Sequence, residues 1–179
     1  MSRSADGTLG FISDRDRNAV HIISLRTFSV LKTVRVGKSP SRPWGTADGR
    51  LMLIPNSGDG SISAISIQSL SVAFTQIIGK KPISIHSGWL DTLAAVLTED
   101  GDITIIDLEG GGIKETFSVS ALPSQGLVTS DSKTLAVTTP VSGSLHFFDL
   151  RRQKKLGVLK GLPDDLAPPA LAVSNNLCH

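Results

Sequence analysis

Apolar residues along this chain come in short runs of five to seven residues. Many alternate with Ser, Thr or charged residues, and the runs stop at Gly, Asp, Asn, Ser or Pro. No stretch keeps a helical apolar period over ten residues, so the pattern predicts strands and tight turns. The pattern also repeats. Leu9, Leu51, Leu93, Leu135 and Leu177 each follow a polar turn, 42 residues apart. The runs they open are Leu9–Asp14, Leu51–Asn56, Leu93–Thr98 and Leu135–Pro140. A second run follows at Val20–Ser24, Ile62–Ser66, Ile103–Asp107 and Leu145–Asp149. A third lies at Val30–Val36, Val72–Ile78, Ile113–Val119 and Lys155–Leu159. Pro40, Pro82 and Pro123 come after the first three of these. A short fourth segment then leads to the next turn, at Trp44–Ala47, Ile83–Ser87, Gly126–Thr129 and Ala170–Ser174.

Val, Ile, Leu and Thr in such runs suit a pleated, half-buried surface. Asp6-Gly7, Asp48-Gly49, Asp59-Gly60 and Asp100-Gly101 are hairpin turn pairs, since glycine takes positive φ without a Cβ clash. Four antiparallel strands per 42 residues is the arithmetic of a β-propeller blade. One such sheet cannot bury both faces alone, and stacking on neighbours does so. The expected fold is therefore all-β: about four four-stranded blades in one domain over residues 1–179. Their bounds fall near 5–39, 40–81, 82–122 and 123–162, with a final inner strand at 168–174. The first unit begins at the Asp6-Gly7 turn, so its innermost strand is expected to be missing. Three arrangements satisfy this: a closed four-blade ring, a half-ring that pairs with a second copy to make eight blades, or part of a longer seven- or eight-bladed propeller.

The repeat resembles the YVTN (YncE-like) β-propeller family, a relative in architecture of WD40. The unit that carries the resemblance reads Gly37-Lys-Ser-Pro40, Trp44-Gly-Thr-Ala-Asp-Gly49, Leu51-Met-Leu-Ile-Pro-Asn56, Ser57-Gly-Asp-Gly60 and Ile62-Ser-Ala-Ile-Ser-Ile67. The likeness covers essentially the whole chain. It implies a ring of seven or eight blades and a periplasmic or secreted setting, although no signal-peptide pattern opens this sequence. It also implies two classes of function. One is a binding or interaction scaffold; the other is the propeller portion of a periplasmic redox enzyme, as in haem d1-binding nitrite reductases and quinoprotein amine dehydrogenases.

Composition narrows these classes. Hydrophobic residues make up 40% of the chain and charged residues 19%, which excludes disorder as the overall state. A net charge of +2 argues against a dedicated nucleic-acid binder, and no apolar run reaches the length of a membrane span. One cysteine leaves no internal disulfide and no multi-cysteine metal site. Cys178-His179 ends like a c-type haem motif, but Asn175 stands where the first cysteine belongs, so covalent haem is not expected. Gly110-Gly-Gly112 lacks the Lys-Ser/Thr and helix of a phosphate loop and reads as a turn. No cofactor is indicated by the residues.

Propeller ligands sit on loops at one face near the channel. Here those loops are 14–18, 37–43, 56–60, 79–82, 98–102 and 162–167. Arg15, Arg17, Lys38, Arg42, Lys80 and Lys81 make several of them positive, whereas Asp164 and Asp165 make the last negative. Two readings stand: solvated mixed-charge loops, or a mouth for a small anionic ligand or a protein partner. In the second, Arg42 leads because a guanidinium grips carboxylate or phosphate bidentately; Arg15, Lys80 and Lys81 support it. His86, on an innermost strand, is the further candidate. His21 and His146 occupy equivalent places in units one and four and read as packed or hydrogen-bonded strand histidines. Asp107 and Asp149 are expected to accept backbone N–H bonds in the turns that follow them. Trp44 and Trp89 are expected to pack between blades.

Overall fold

A computed structural model describes residues 1–79, 81–88, 92–119, 122–129, 131 and 133–161. Among these residues, sixteen strands fall into four antiparallel sheets, each meandering in chain order. Blade 1 holds β1 (Ser2–Arg3), β2 (Leu9–Asp14), β3 (Ala19–Ser24) and β4 (Ser29–Arg35). Blade 2 holds β5 (Trp44–Gly45), β6 (Leu51–Asn56), β7 (Ser61–Ser66) and β8 (Ser71–Ile77). Blade 3 holds β9 (Pro82–Ser87), β10 (Leu93–Thr98), β11 (Asp102–Asp107) and β12 (Ile113–Ser118). Blade 4 holds β13 (Gln125–Val128), β14 (Thr134–Thr139), β15 (Ser144–Asp149) and β16 (Lys154–Lys160). A 3-10 turn at Pro140–Ser142 is the only helical segment among the described residues, and none of those residues forms a helix long and apolar enough to cross a membrane.

The first blade corrects one expectation. Its inner strand is present, because Ser2 and Arg3 pair with Phe11 and Gly10 of β2. The Ser2 hydroxyl ties this strand across to the Pro43 carbonyl at 2.5 Å. Two residues, neither apolar, carry no periodicity for the sequence pattern to reveal. The predicted strand at 168–174 lies outside the described residues.

Three buried clusters join the blades face to face. Phe11, Val20 and Ile22 of blade 1 meet Met52, Ile54 and Ile65 of blade 2. Leu53, Ile62 and Ala64 of blade 2 meet Ile85, Val96 and Ile106 of blade 3. Leu97, Ile103 and Ile105 of blade 3 meet Leu135, Val137 and Phe148 of blade 4. Period-two alternation produces this: Leu53 turns to one neighbour while Met52 and Ile54 turn to the other. Each fully buried Ile, Leu or Phe contributes about 1.5–3 kcal/mol, so the strongly apolar first and second runs of each unit, the second and third strands of each blade, carry the fold. A closed four-blade ring would need a fourth cluster joining blade 4 to blade 1, which the described residues do not contain.

Turn chemistry recurs with the blades. Ser4, Thr46 and Thr129 each bond the Asp two residues on, at 2.5, 2.7 and 2.6 Å. Asp6, Asp48 and Asp131 in turn accept the backbone N–H two residues beyond. Asp6 and Asp131 are held below the usual carboxylate range by these bonds, hydroxyl first. Burial raises Asp48, but the bonds from Arg50 and Thr46 outweigh it, and its value is lowered as well. Gly7, Gly49, Gly60 and Gly101 all adopt positive φ, as the Asp-Gly pairs predict. Asp107 accepts from Glu109 N–H at 2.9 Å, and Asp149 from Arg151 and Arg152 N–H at 3.0 and 2.8 Å.

A second motif crosses blades 1 to 3 from the third strand to the fourth. His21 Nδ1 bonds Thr33 Oγ1 at 2.9 Å. Ser63 Oγ meets Thr75 Oγ1, and Thr104 Oγ1 meets Thr116 Oγ1, both at 3.4 Å. The equivalent residue in blade 4 is His146, which faces Val158. Its Nδ1 is buried without a hydrogen-bond partner, and the residue is 5% exposed.

Candidate functional site

A groove of about 490 Å³ runs along the inner strands of blades 1 and 2, lined by Arg3, Arg42, Pro43, Trp44 and Thr46 among others. Local sequence explains its shape. Pro40 and Pro43 keep the blade 1 to blade 2 connection extended, and the chain enters β5 for only two residues before the Thr46–Asp48 turn. The indole of Trp44 is therefore left 39% exposed at the groove. As expected, Trp44 also meets the next blade, its indole lying against His86 of β9, and the residue lines the groove as well. Arg3 and Arg42 are both exposed, and neither forms an ion pair with a carboxylate among the described residues. Two guanidinium groups and an indole thus line one concave surface, a set suited to an anion and a planar group.

The remaining candidates divide. His86 lies beside Trp44, with ring centroids 5.6 Å apart and planes tilted by 60°. Its Nε2 accepts the Gly126 backbone N–H at 3.2 Å and lies 3.1 Å from Ser84 Oγ. Gly126 is a fixed donor, so Nε2 is the acceptor and the neutral ring carries its proton on Nδ1. Burial lowers the imidazole to about 4. The lone pair that would take a metal or a proton is engaged in holding β9 to β13. A Cβ at Gly126 would stand 2.7 Å from the ring, so glycine is what admits it. Lys81 pairs with Glu99 at 2.7 Å, both side chains about half exposed, which joins the blade 2 to blade 3 connection to a turn of blade 3. Arg15 sits in the exposed β2–β3 turn and does not line the groove. Lys80, Trp89, Asp164, Asp165 and Cys178-His179 lie outside the described residues.

Sequence reasoning missed Arg3, because the strand that carries it is two residues long. It could have found Trp44, since an aromatic beside Arg42 on a predicted inner strand points at the channel. His21 is bonded at both ring nitrogens, Nε2 to Asp14 at 3.1 Å, and is a structural residue. No group of three or more His, Cys, Asp or Glu among the described residues could hold a metal ion.

Four meandering sheets stacked face to face, inner strands in succession, are the architecture of a β-propeller. No family model and no curated protein matches the chain. Solved structures do match, 1508 chains among them. One is the Kuenenia stuttgartiensis hydrazine synthase, 24% identical with a TM-score of 0.77. The match covers 89% of this chain and 48% of that one, so this chain spans about half the length of that neighbour. At this identity the likeness carries the fold and no activity.

Proposed function

We propose that the chain is a propeller binding module, kin to the YVTN repeats, whose groove at Arg3, Arg42 and Trp44 receives a small anionic ligand or an anionic group of a protein partner. The observation that carries the reading is the meeting of two guanidinium groups, without described carboxylate partners, and an exposed indole around a cavity of about 490 Å³. That volume lies within the range of small-molecule sites. Arg15 lies in an exposed turn outside the groove and Lys81 is paired with Glu99, so the ligand is assigned to Arg3 and Arg42, and His86 positions the indole rather than touching ligand. Calorimetric titration with a panel of nucleoside monophosphates and aromatic carboxylates tests it. A member of the panel should bind, and the Arg3→Ala, Arg42→Ala double variant should lose at least about tenfold in affinity, the worth of one charge-assisted bond. Undiminished affinity of the double variant would remove the site.

A second reading, the propeller portion of a redox enzyme, rests on the resemblance of the repeat to the propellers of haem d1-binding nitrite reductases and quinoprotein amine dehydrogenases. Under it, natively expressed protein carries a visible absorption band. A colourless, metal-free preparation counts against it.

A further inference from the structure

Edge strands expose unpaired backbone groups, and proteins protect them with charge. The four outer strands here differ in this respect. β4 carries Lys32 and Arg35, β12 carries Lys114 and Glu115, and β16 carries Lys154, Lys155 and Lys160. β8, with the sequence Ser-Val-Ala-Phe-Thr-Gln-Ile, carries no charge at all. Its Ile77 is 68% exposed and its Val72 36%.

The ladder shows which backbone groups this strand offers. Ile78 N–H bonds the Gly60 carbonyl at 2.9 Å, and Gln76 and Phe74 lie opposite Ile62 and Ala64. Antiparallel bonding alternates, so Thr75 and Ile77 turn their N–H and C=O away from β7. Gln76 Nε2 covers the Ile77 carbonyl at 2.7 Å, which leaves Thr75 N–H, Thr75 C=O and Ile77 N–H on the open edge.

A second observation lies beside the same edge. A pocket of about 560 Å³ opens between blades 2 and 3, its apolar lining Leu51, Ile67, Ala73, Phe74 and Leu108, with Arg50 and Glu109 at its rim. Phe74 half-fills the junction, and Gly111 of blade 3 comes so close that a Cβ there would lie 2.5 Å from the Phe74 ring. A residue paired opposite Phe74 on an added strand would have its side chain on Phe74's face of the sheet, the face that borders this pocket.

We propose that β8 is a docking edge for an uncharged, extended segment of another polypeptide, which adds a fifth strand to blade 2 and sets one aromatic or branched apolar side chain into the pocket between blades 2 and 3. The open N–H and C=O groups specify a strand, the absence of charge on β8 specifies an uncharged one, and the pocket specifies the anchor. The site is separate from the inner-strand groove and does not depend on it.

The test uses a fluorescein-labelled peptide, Thr-Val-Thr-Phe-Thr-Val, with anisotropy and amide hydrogen exchange as readouts. The peptide should bind, and the Thr75 and Ile77 amides should exchange at least about tenfold more slowly when it is present. Thr75→Pro removes an outward donor without breaking the β7–β8 ladder, and Ile77→Lys places a charge on the edge. Each should weaken binding by about tenfold or more, as should replacing the peptide's Phe by Ala. Either variant suffices if the other fails to fold, as judged by circular dichroism. Equal affinity of a folded variant, protection at β4, β12 or β16 instead, or no binding at millimolar peptide would overturn the proposal. Self-association abolished by Ile77→Lys, with no peptide binding, would assign the edge to a second copy and equally overturn it.

Discussion

Single residues in this protein are held in unusual backbone conformations by the repeat rather than by their own chemistry. The turn after the third strand ends in a left-handed residue in every blade: Phe28 (φ 53°), Leu70 (φ 50°), Gly111 (φ 75°) and Gln153 (φ 53°). Only blade 3 uses the residue suited to it, and glycine there also admits the Phe74 ring. Phe28 is 86% exposed and gains little packing to offset the strain. Replacing Phe28 by Gly should stabilise the protein by about 0.5–1 kcal/mol, a rise of about 1–4 °C in the thermal midpoint. Leu70 is the control. It packs against the cluster of Met52, Ile54 and Ile65, so Leu70→Gly relieves the same backbone yet should lower the midpoint. Paired calorimetric scans decide both.

Strands show the same dependence on their neighbours. In blades 1 to 3 a polar residue at the middle of the third strand finds a threonine opposite on the fourth: His21–Thr33, Ser63–Thr75 and Thr104–Thr116. Blade 4 keeps the polar member, His146, but puts Val158 opposite it. Burial, then Lys155 and Lys160, push the His146 imidazole below its usual value. A buried nitrogen without a partner costs about 1–3 kcal/mol. Val158→Thr should therefore stabilise the blade by about 1 kcal/mol, whereas Thr33→Val should destabilise by a similar amount. Urea midpoints of the two variants check the pair, and opposite signs are the expected result.

Across the whole molecule, one largely buried histidine contact between blades leads the response to pH. His86 is lowered from 6.5 to about 4 by burial, and its Nε2 lone pair is taken by Gly126 N–H. The folded state thus binds its proton less readily than the unfolded chain. Stability contributed this way is fully present above about pH 6.5 and is lost as pH falls toward 4. His146 acts in the same direction. The loss from His86 is roughly 3 kcal/mol at most, at 1.36 kcal/mol per pKa unit. Below that window the lowered carboxylates Asp6, Asp14, Asp48, Asp107 and Asp131 begin to protonate and add to it. Urea denaturation between pH 7.5 and 4.5 should show a falling midpoint, and His86→Gln, which keeps an acceptor but cannot titrate, should flatten it.

The linear sequence determined the repeat, the strands, the turns and which residues are buried. All of these follow from local spacing: a period of two selects the faces of a strand, Asp-Gly selects the turn, and 42 residues return the chain to the same place in the next blade. What only the tertiary structure decided lies between blades. The two-residue strand of Ser2 and Arg3 has no periodicity of its own and exists because β2 offers it an edge. His86 reads from sequence as a candidate ligand-binding residue, whereas in the fold its Nε2 accepts the N–H of Gly126, 40 residues away. Lys81 was readable as a free cation until Glu99 came within 2.7 Å. Hydrogen bonds and ion pairs across blades join positions about one repeat or less apart, and spacing within one strand carries no record of which partner the neighbouring sheet supplies.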